Sequence, residues 1–363
     1  MKIIYGVCSW GLGHATRSLP VIRKLIEEDN KLTIISNGRS LELLRKELGD
    51  GVEYIDIPDY PMLLSENTRQ FLAKSTIYWP VFIRKMQKGL SQLTKILQTK
   101  TCDRIISDAR YDIYSKKIPS FFISHQIRIM NPLRIKMFER GSEIFNLFFF
   151  KRFRGVIVPD YKEDDLSGDL SHNLCRLDEK KINYVGILSD FKKKKTKKDI
   201  DYLFSISGPE PQRTLFEKKL LAQIDSLDGN IAVTLGKAEK KDVFNKKNVT
   251  TYSFLTKEKR EDLLNQAKLV ISRSGYSTIM DLAVIGNKAL MVPTPGQIEQ
   301  EYLADYHNKK DTFYSVNQNN IKLGRDIEIA SKTTGIIRKC NVDETVENII
   351  DIVISTTDKS PFC

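Results

Sequence analysis

Between Leu269 and Tyr302 the chain alternates apolar runs with turn-forming residues in a way that few folds accommodate. LVIS, Leu269–Ser272, has the length of a buried strand, and Ser274 and Gly275 turn it. Helical spacing follows from about Ser277 to Ile285, and ALMV, Ala289–Val292, is a second buried strand ahead of a loop carrying Pro and Gly. Two apolar strands joined through a helix make a parallel βαβ unit, and open α/β sheets bind ligands at the carboxyl ends of such strands. Ser274, Gly275, Ser277 and Thr278 fall where the helix begins. Free backbone N–H groups, small hydroxyls and the positive end of the helix dipole there suit an anion such as a diphosphate. Asp281 places a carboxylate where a ribose diol can be held, and Glu299 and Gln300 offer an acceptor and an amide to sugar hydroxyls. Helix caps and an ordinary strand-to-helix turn use the same residue types.

A second anchor stands near the start of the chain. KIIYGVCSW, Lys2–Trp10, is an apolar run that stops at GLGHATRS, Gly11–Ser18, after which Leu19, Ile22, Leu25 and Ile26 recur at helical spacing. The third glycine of a dinucleotide loop is missing, and His14 and Arg17 occupy the turn instead. SRSG, a helix with an acidic residue, a Pro-bearing loop and an EQ pair before Tyr302 resemble the donor half of MurG-type UDP-N-acetylglucosamine transferases. More distantly they are similar to UDP-glucosyl and glucuronosyl transferases. GxGHxxR after the first strand resembles the opening loop of the same family.

That resemblance implies an α/β chain of the GT-B type, two Rossmann-like doubly wound domains facing a central cleft. It implies donor contacts at Gly11, Gly13, Arg273, Ser274, Gly275, Ser277, Thr278, Asp281, Glu299 and Gln300. It also implies a phosphate loop after the strand at DYLFSISG, with Ser207, Gly208 and Arg213 as candidates; here Pro209 and Pro211 lack N–H groups, so fewer donors remain. Phe254 and Leu255 fall where the family's loop abuts the nucleobase. His14 is the first candidate for the base, because imidazole titrates near working pH; Asp108 and His125, at the ends of two further strands, are its substitutes.

A length of 363 residues suits two α/β domains rather than one core. The expected boundaries are 1–190 for an acceptor-binding domain, 191–342 for a donor-binding domain, and 343–363 for a helix that packs back on the first domain by analogy with the family. KKKKTKK, Lys192–Lys198, reads as a solvated crossing between domains. Five scattered cysteines without a CxxC spacing argue against disulfides and a zinc site. No signal sequence precedes the first strand, and no apolar run is long enough for a bilayer, so the expected location is the cytoplasm. The net charge of +12 lacks any nucleic-acid-binding signature, and an anionic membrane surface or a general lysine bias accounts for it instead. The long region from Leu63 to Leu97, which mixes Phe71, Leu72, Ile77, Tyr78, Trp79, Val81, Phe82 and Ile83 with Lys74, Arg84, Lys85 and Lys88, and the segment Glu143–Gly155 read either as core helices or as interfacial patches.

Displacement at an anomeric carbon needs a cradle for charge on the departing UDP, a grip on the hexose and a base for the acceptor hydroxyl. No DxD motif argues for a divalent ion, so no metal and no cofactor beyond the UDP-sugar substrate is expected. The expected reaction is an inverting, metal-independent transfer of a hexose or N-acetylhexosamine from a UDP-sugar to a lipid-linked or other glycan acceptor, peripherally at the cytoplasmic membrane face. A nucleotide-sugar hydrolase, a sugar-nucleotide 2-epimerase and a binding-only protein are the alternatives.

Overall fold

The computed structural model describes residues 1–60, 68–131, 133–237 and 242–355, without the side chains of 68–77 and 180. Leu63 and the side chains of Phe71, Leu72, Lys74 and Ile77, counted above in the long mixed segment, lie outside the described residues.

One unit comprises Met1–Asp190 and the segment from Asn341 onward. Its strands are β1 (Lys2–Val7), β2 (Lys31–Ser36), β3 (Glu53–Asp56), β4 (Arg104–Asp108), β5 (Ser120–Ile123), β6 (Gly155–Val158) and β7 (Ile182–Tyr184), with helices α1 (Leu12–Glu27), α2 (Gly38–Leu48), α3 (Thr68–Thr99) and α4 (Lys136–Phe150) between them. The strands form a parallel sheet in the order β3-β2-β1-β4-β5-β6-β7. A parallel sheet covered by crossover helices needs strands that are apolar throughout, and β5 and β6 are buried at every position. Ile4, Ile35, Leu93 and Ile105 anchor one apolar cluster, and Phe122, Phe150, Phe153 and Val156 another. Burying each such side chain contributes about 1.5–3 kcal/mol. The order reverses direction at β1, with β2 on one side and β4 on the other, so the switch point opens between β1 and β4. Val7 lies opposite Asp108 there.

The other unit, Phe191–Cys340, contains β8 (Ile200–Ser205), α5 (Gln212–Ile224), β9 (Ile231–Thr234), β10 (Val243–Lys246), β11 (Val249–Tyr252), α6 (Lys257–Gln266), β12 (Ala267–Ser272), α7 (Tyr276–Ile285), β13 (Lys288–Met291), α8 (Ile298–Lys309), β14 (Tyr314–Ser315) and α9 (Leu323–Lys332). Its order, β10-β11-β9-β8-β12-β13-β14, reverses at β8, with Ser205 level with Ser272 and Ser272 level with Met291. The loops after β8, β12 and β13 therefore start side by side. β10 pairs antiparallel with β11 across a two-residue turn at Lys247 and Asn248; all four of its residues are exposed, and its apolar pair Val243–Phe244 is too short a run to read as a strand.

The lysine run from Lys192 is not a free crossing. Its backbone is held along α6, where the Lys192 amide donates to Glu261 (2.8 Å) and the Lys194 amide to Asn265 (2.7 Å). The last helix, α10 (Val342–Ser355), packs on the first unit, and Arg104 Nε donates to Val353 O at 3.0 Å. The two mixed segments each divide between core and surface. Phe82, Met86, Phe149 and Phe150 are buried, whereas Trp79, Val81, Ile83, Ile144 and Phe148 are exposed. Among the described residues no helix is long and apolar enough to cross a membrane.

Candidate functional site

In the first unit the Cys8 amide, one residue past β1, donates to Asp108 O at 3.0 Å, which brings the glycine loop to the end of β4. Asp59 fixes the base of that loop by accepting from Ser9 N (2.6 Å) and Ser9 Oγ (3.0 Å), and Trp10 Nε1 donates to Tyr60 O at 2.7 Å. Gly11 caps the start of α1, and Gly13 O accepts from Thr16 Oγ1 at 3.1 Å. Because α1 begins at once, His14, Arg17 and Ser18 share one helix face and meet the Asp108 carboxylate together. His14 Nδ1 lies 2.9 Å from Oδ1; Arg17 Nε and Ser18 Oγ each lie 2.9 Å from Oδ2; and Arg17 Nη2 also donates to Oδ1.

A carboxylate can only accept, so the His14 proton sits on Nδ1 and the lone pair on Nε2. Burial opposes the charge on Asp108, but Arg17 and His14 outweigh it and hold the carboxyl well below the usual carboxylate range. The His14 side chain is 19% exposed, against 1% for Asp108. Neither substitute base keeps that role. Asp108 is sealed, ion-paired and a weak base. His125, 6% exposed, accepts from Arg17 Nη1 through Nδ1 at 3.0 Å, and since guanidinium only donates, the His125 proton is on Nε2. Arg17 and Ser18 complete the Asp108 cluster, and sequence reasoning did not place either among the candidate site residues. Arg17 stood in the GxGHxxR pattern, but its service to Asp108, 91 residues away, left no local mark.

Among the described residues one group brings metal-ligating atoms within 4.8 Å of one another: Asp160, Asp165 and His172, in the loop after β6. Asp160 already accepts from the amides of Tyr161, Leu166 and Ser167, and His172 Nε2 is 2.9 Å from Tyr161 O, so the group clasps its own loop.

In the second unit Ser274 and Gly275 lead from β12 into α7, whose N-cap, Gly275, has no side-chain cap bond. With no side chain at its N-cap, the start of α7, beside half-buried Ser277 and Thr278, is the end of the helix that suits an anion. Ser207 and Gly208 are exposed at the end of β8, and Phe254 and Leu255 are half-buried after β11. Asp281 on α7 and Glu299 in the first turn of α8 are also half-buried. Gln300 is buried; its Oε1 accepts from Thr294 N at 2.9 Å, and its backbone carbonyl accepts from Ser274 Oγ at 2.8 Å. Its amide Nε2 is 3.8 Å from where a Cβ on Gly275 would sit, so the group left for a sugar is the amide donor alone.

Two arginines depart from the expected direct donor contact. Arg213 is neutralised by Glu210 and Glu217, with 2.7 Å bonds to each, so it is not free for a phosphate. Arg273 is 2% exposed and is a strut inside the site. It donates to Val292 O and Pro293 O (3.1 Å each), Gln212 O (3.0 Å), Gln318 Oε1 (2.6 Å) and, more weakly, Ser207 O (3.4 Å), and it lies 4.0 Å over the Phe216 ring. One guanidinium therefore ties together the loops after β8, β12 and β13. Gln212 and Gln318 carried no sequence signal for this part.

The chain matches the Glycosyltransferase family 28 C-terminal domain over residues 212–332 and Glycosyl transferase family 1 over residues 1–118. Over 39 residues, 11% of this chain and 10% of the relative, it is 51% identical to the UDP-N-acetylglucosamine–N-acetylmuramyl-(pentapeptide) pyrophosphoryl-undecaprenol N-acetylglucosamine transferase of Methylobacterium sp.. It is a glycosyltransferase, similar to the MurG type. Similarity to this enzyme class runs through most of the chain: an uncharacterised glycosyltransferase of Methanosarcina acetivorans is 25% identical over 328 residues, 83% of this chain and 82% of the relative. A second such protein of that organism is 27% identical over 172 residues, 44% of this chain and 42% of its own length. MurG of Acinetobacter baumannii superposes with a TM-score of 0.60 over 98% of this chain and 99% of that chain at 12% identity, which establishes for this MurG-like chain the GT-B fold.

Proposed function

We propose that this glycosyltransferase moves a hexose or N-acetylhexosamine from a UDP-sugar to a lipid-linked acceptor, in one inverting displacement without a metal, at the cytoplasmic face of a membrane. The observation that carries the reading is the 2.9 Å bond from His14 Nδ1 to Asp108, which leaves Nε2 as the basic nitrogen of a partly exposed imidazole. In the proposed step Nε2 takes the proton of the acceptor hydroxyl while its oxygen bonds the anomeric carbon. The bond from that carbon to the β-phosphate oxygen breaks, and its electron pair leaves with UDP. The α7 amino terminus and the Arg273 guanidinium supply positive potential for the charge on the leaving diphosphate. Asp281 suits the ribose diol, Glu299 and the Gln300 amide suit the hexose, and the segment around Phe254 and Leu255 suits the base.

The membrane partner is supported by the surface of the first unit. Trp79 of α3 lies 5.0 Å from Phe145 of α4, so the exposed side chains of the two helices adjoin. Trp79, Ile144 and Phe148 are 37%, 54% and 60% exposed. Exposed Lys85, Lys88, Lys136 and Arg140 lie along the same helices, a pairing of apolar and cationic groups that suits an anionic lipid surface.

A panel of nucleotide sugars screened by thermal shift, followed by product analysis with lipid-linked acceptors, tests the reading. A UDP-sugar is expected to raise the melting temperature, and His14→Ala to lose transfer while keeping that shift. Absence of any shift with UDP-sugars, or full transfer by His14→Ala, sinks the proposal; release of free sugar as the main product replaces the acceptor by water.

A further inference from the structure

Thr294 is 2% exposed, and its hydroxyl is a buried polar atom without a hydrogen-bond partner. Buried hydroxyls are almost always paired, because an unpaired one has lost its water for nothing. This one stands in the loop after β13, between Pro293 and Pro295, and its backbone is pinned by Gln300. Opposite it is Gly208, in the turn after β8. A Cβ on Gly208 would lie 3.7 Å from Thr294 Oγ1 and 3.7 Å from Arg273 Nε, so hydroxyl and guanidinium converge under the one residue of the turn that has no side chain. Gly208 itself holds φ +119, a conformation that favours glycine.

The charge at this corner is unbalanced. Each bond recorded for Arg273 runs to a carbonyl or amide oxygen, and its pKa, lowered to about 10, responds to burial alone with no carboxylate contributing. A cation without a counterion beside a hydroxyl without an acceptor favours an anionic oxygen. The turn that covers them is also short of amide donors, since Pro209 and Pro211 follow Gly208.

We infer that Thr294 is a positioning residue for the diphosphate of the sugar donor, its hydroxyl donating to a phosphate oxygen beside the Arg273 guanidinium once the turn at Gly208 gives way. The inference rests on the nucleotide-sugar reading above. It assigns the lost amide donors a side-chain replacement from the loop after a different strand.

Calorimetric titration of the full chain with UDP, uridine and inorganic pyrophosphate, on the unmodified protein and on Thr294→Val and Thr294→Ser, decides it. Thr294→Val is expected to bind UDP at least about tenfold more weakly and uridine unchanged, and Thr294→Ser to recover to within about threefold. The unliganded Thr294→Val protein is expected to melt no lower than the unmodified one, because its missing hydroxyl had no partner to lose. Equal UDP affinity for Thr294→Val and the unmodified protein overturns the inference and leaves the donor reading standing. A lower melting temperature with uridine and UDP weakened alike also overturns it, as the mark of a packing role. If the unmodified protein binds pyrophosphate but not UDP, the uridine reading fails alone, and loss or retention of pyrophosphate by Thr294→Val supports or overturns the role of Thr294. No binding of any of the three overturns both.

Discussion

At the switch point of the first unit the central buried group is a carboxylate, and at that of the second it is a guanidinium. Asp108 is met by Arg17, His14 and Ser18, so its charge is spent inside the protein and its effect reaches solvent only as the orientation of one imidazole. Arg273 is met by carbonyl and amide oxygens, which satisfy its N–H groups and leave its charge uncancelled. Two sheets with the same direction reversal thus hold opposite charges at the same topological place: one orients an imidazole, the other keeps a positive charge uncancelled. Fold decides where a site opens, and the sign of one buried ion decides what enters it.

The sharpest way to break this contrast is at the imidazole. His14→Ala is expected to lower turnover about 10²- to 10⁴-fold with little change in donor affinity, read from kcat and KM separately. Retained turnover would reduce the Asp108 cluster to a structural feature.

Next in size is Asp108→Asn, which keeps the shape and strands Arg17 as a buried cation. Denaturant unfolding should show a loss of about 3–5 kcal/mol. The acid limb gives the same contrast a sign. The folded pKa of Asp108 lies below the unfolded one, so the unfolded chain binds the proton first as pH falls. Its stabilisation is complete above the unfolded carboxylate value near about 4 and is lost as pH drops toward the folded value. The melting temperature should therefore fall below that pH more steeply in the unmodified protein than in Asp108→Asn. Arg273→Met removes a cation with no buried partner charge, so only unpaired carbonyls remain; a loss of about 1–3 kcal/mol is expected, with a larger proportional loss of UDP affinity. A cost equal to that of Asp108→Asn would erase the distinction.

The smallest stability effect is at the surface. Phe148→Ser should change unfolding by no more than about 0.5 kcal/mol, because the ring is exposed. Flotation with anionic liposomes should nevertheless weaken measurably, and unchanged flotation would remove α4 from the membrane account.

The βαβ stretch around β12, α7 and β13 was legible because apolar periodicity and turn residues are local signals, and the fold followed from them. The strand, glycine turn and helix around His14 were legible for the same reason. What sequence did not disclose was which polar groups are consumed by partners. Asp108 and His125 read as spare bases until Arg17 was seen to engage both, and Arg213 read as a phosphate ligand until Glu210 and Glu217 were seen to hold it. Those pairings span loops far apart in the chain, or depend on helix phase, and residue type does not encode them. Thr294 was hidden for the converse reason, since a threonine between prolines carries no sign of lacking a partner. β10 escaped because two adjacent apolar residues, Val243 and Phe244, show neither alternation nor the length of a strand.

The helix that closes the first unit follows the second unit in the chain. Gly186 has no room for a side chain because Thr345 Oγ1 occupies its place, and Arg104 at the start of β4 holds the far end of the same helix. During synthesis the whole intervening unit must leave the ribosome before this brace arrives. The half that carries His14 therefore stays unfinished until the second unit has been made, and a chain cut ahead of Val342 would be expected to harm its beginning more than its middle.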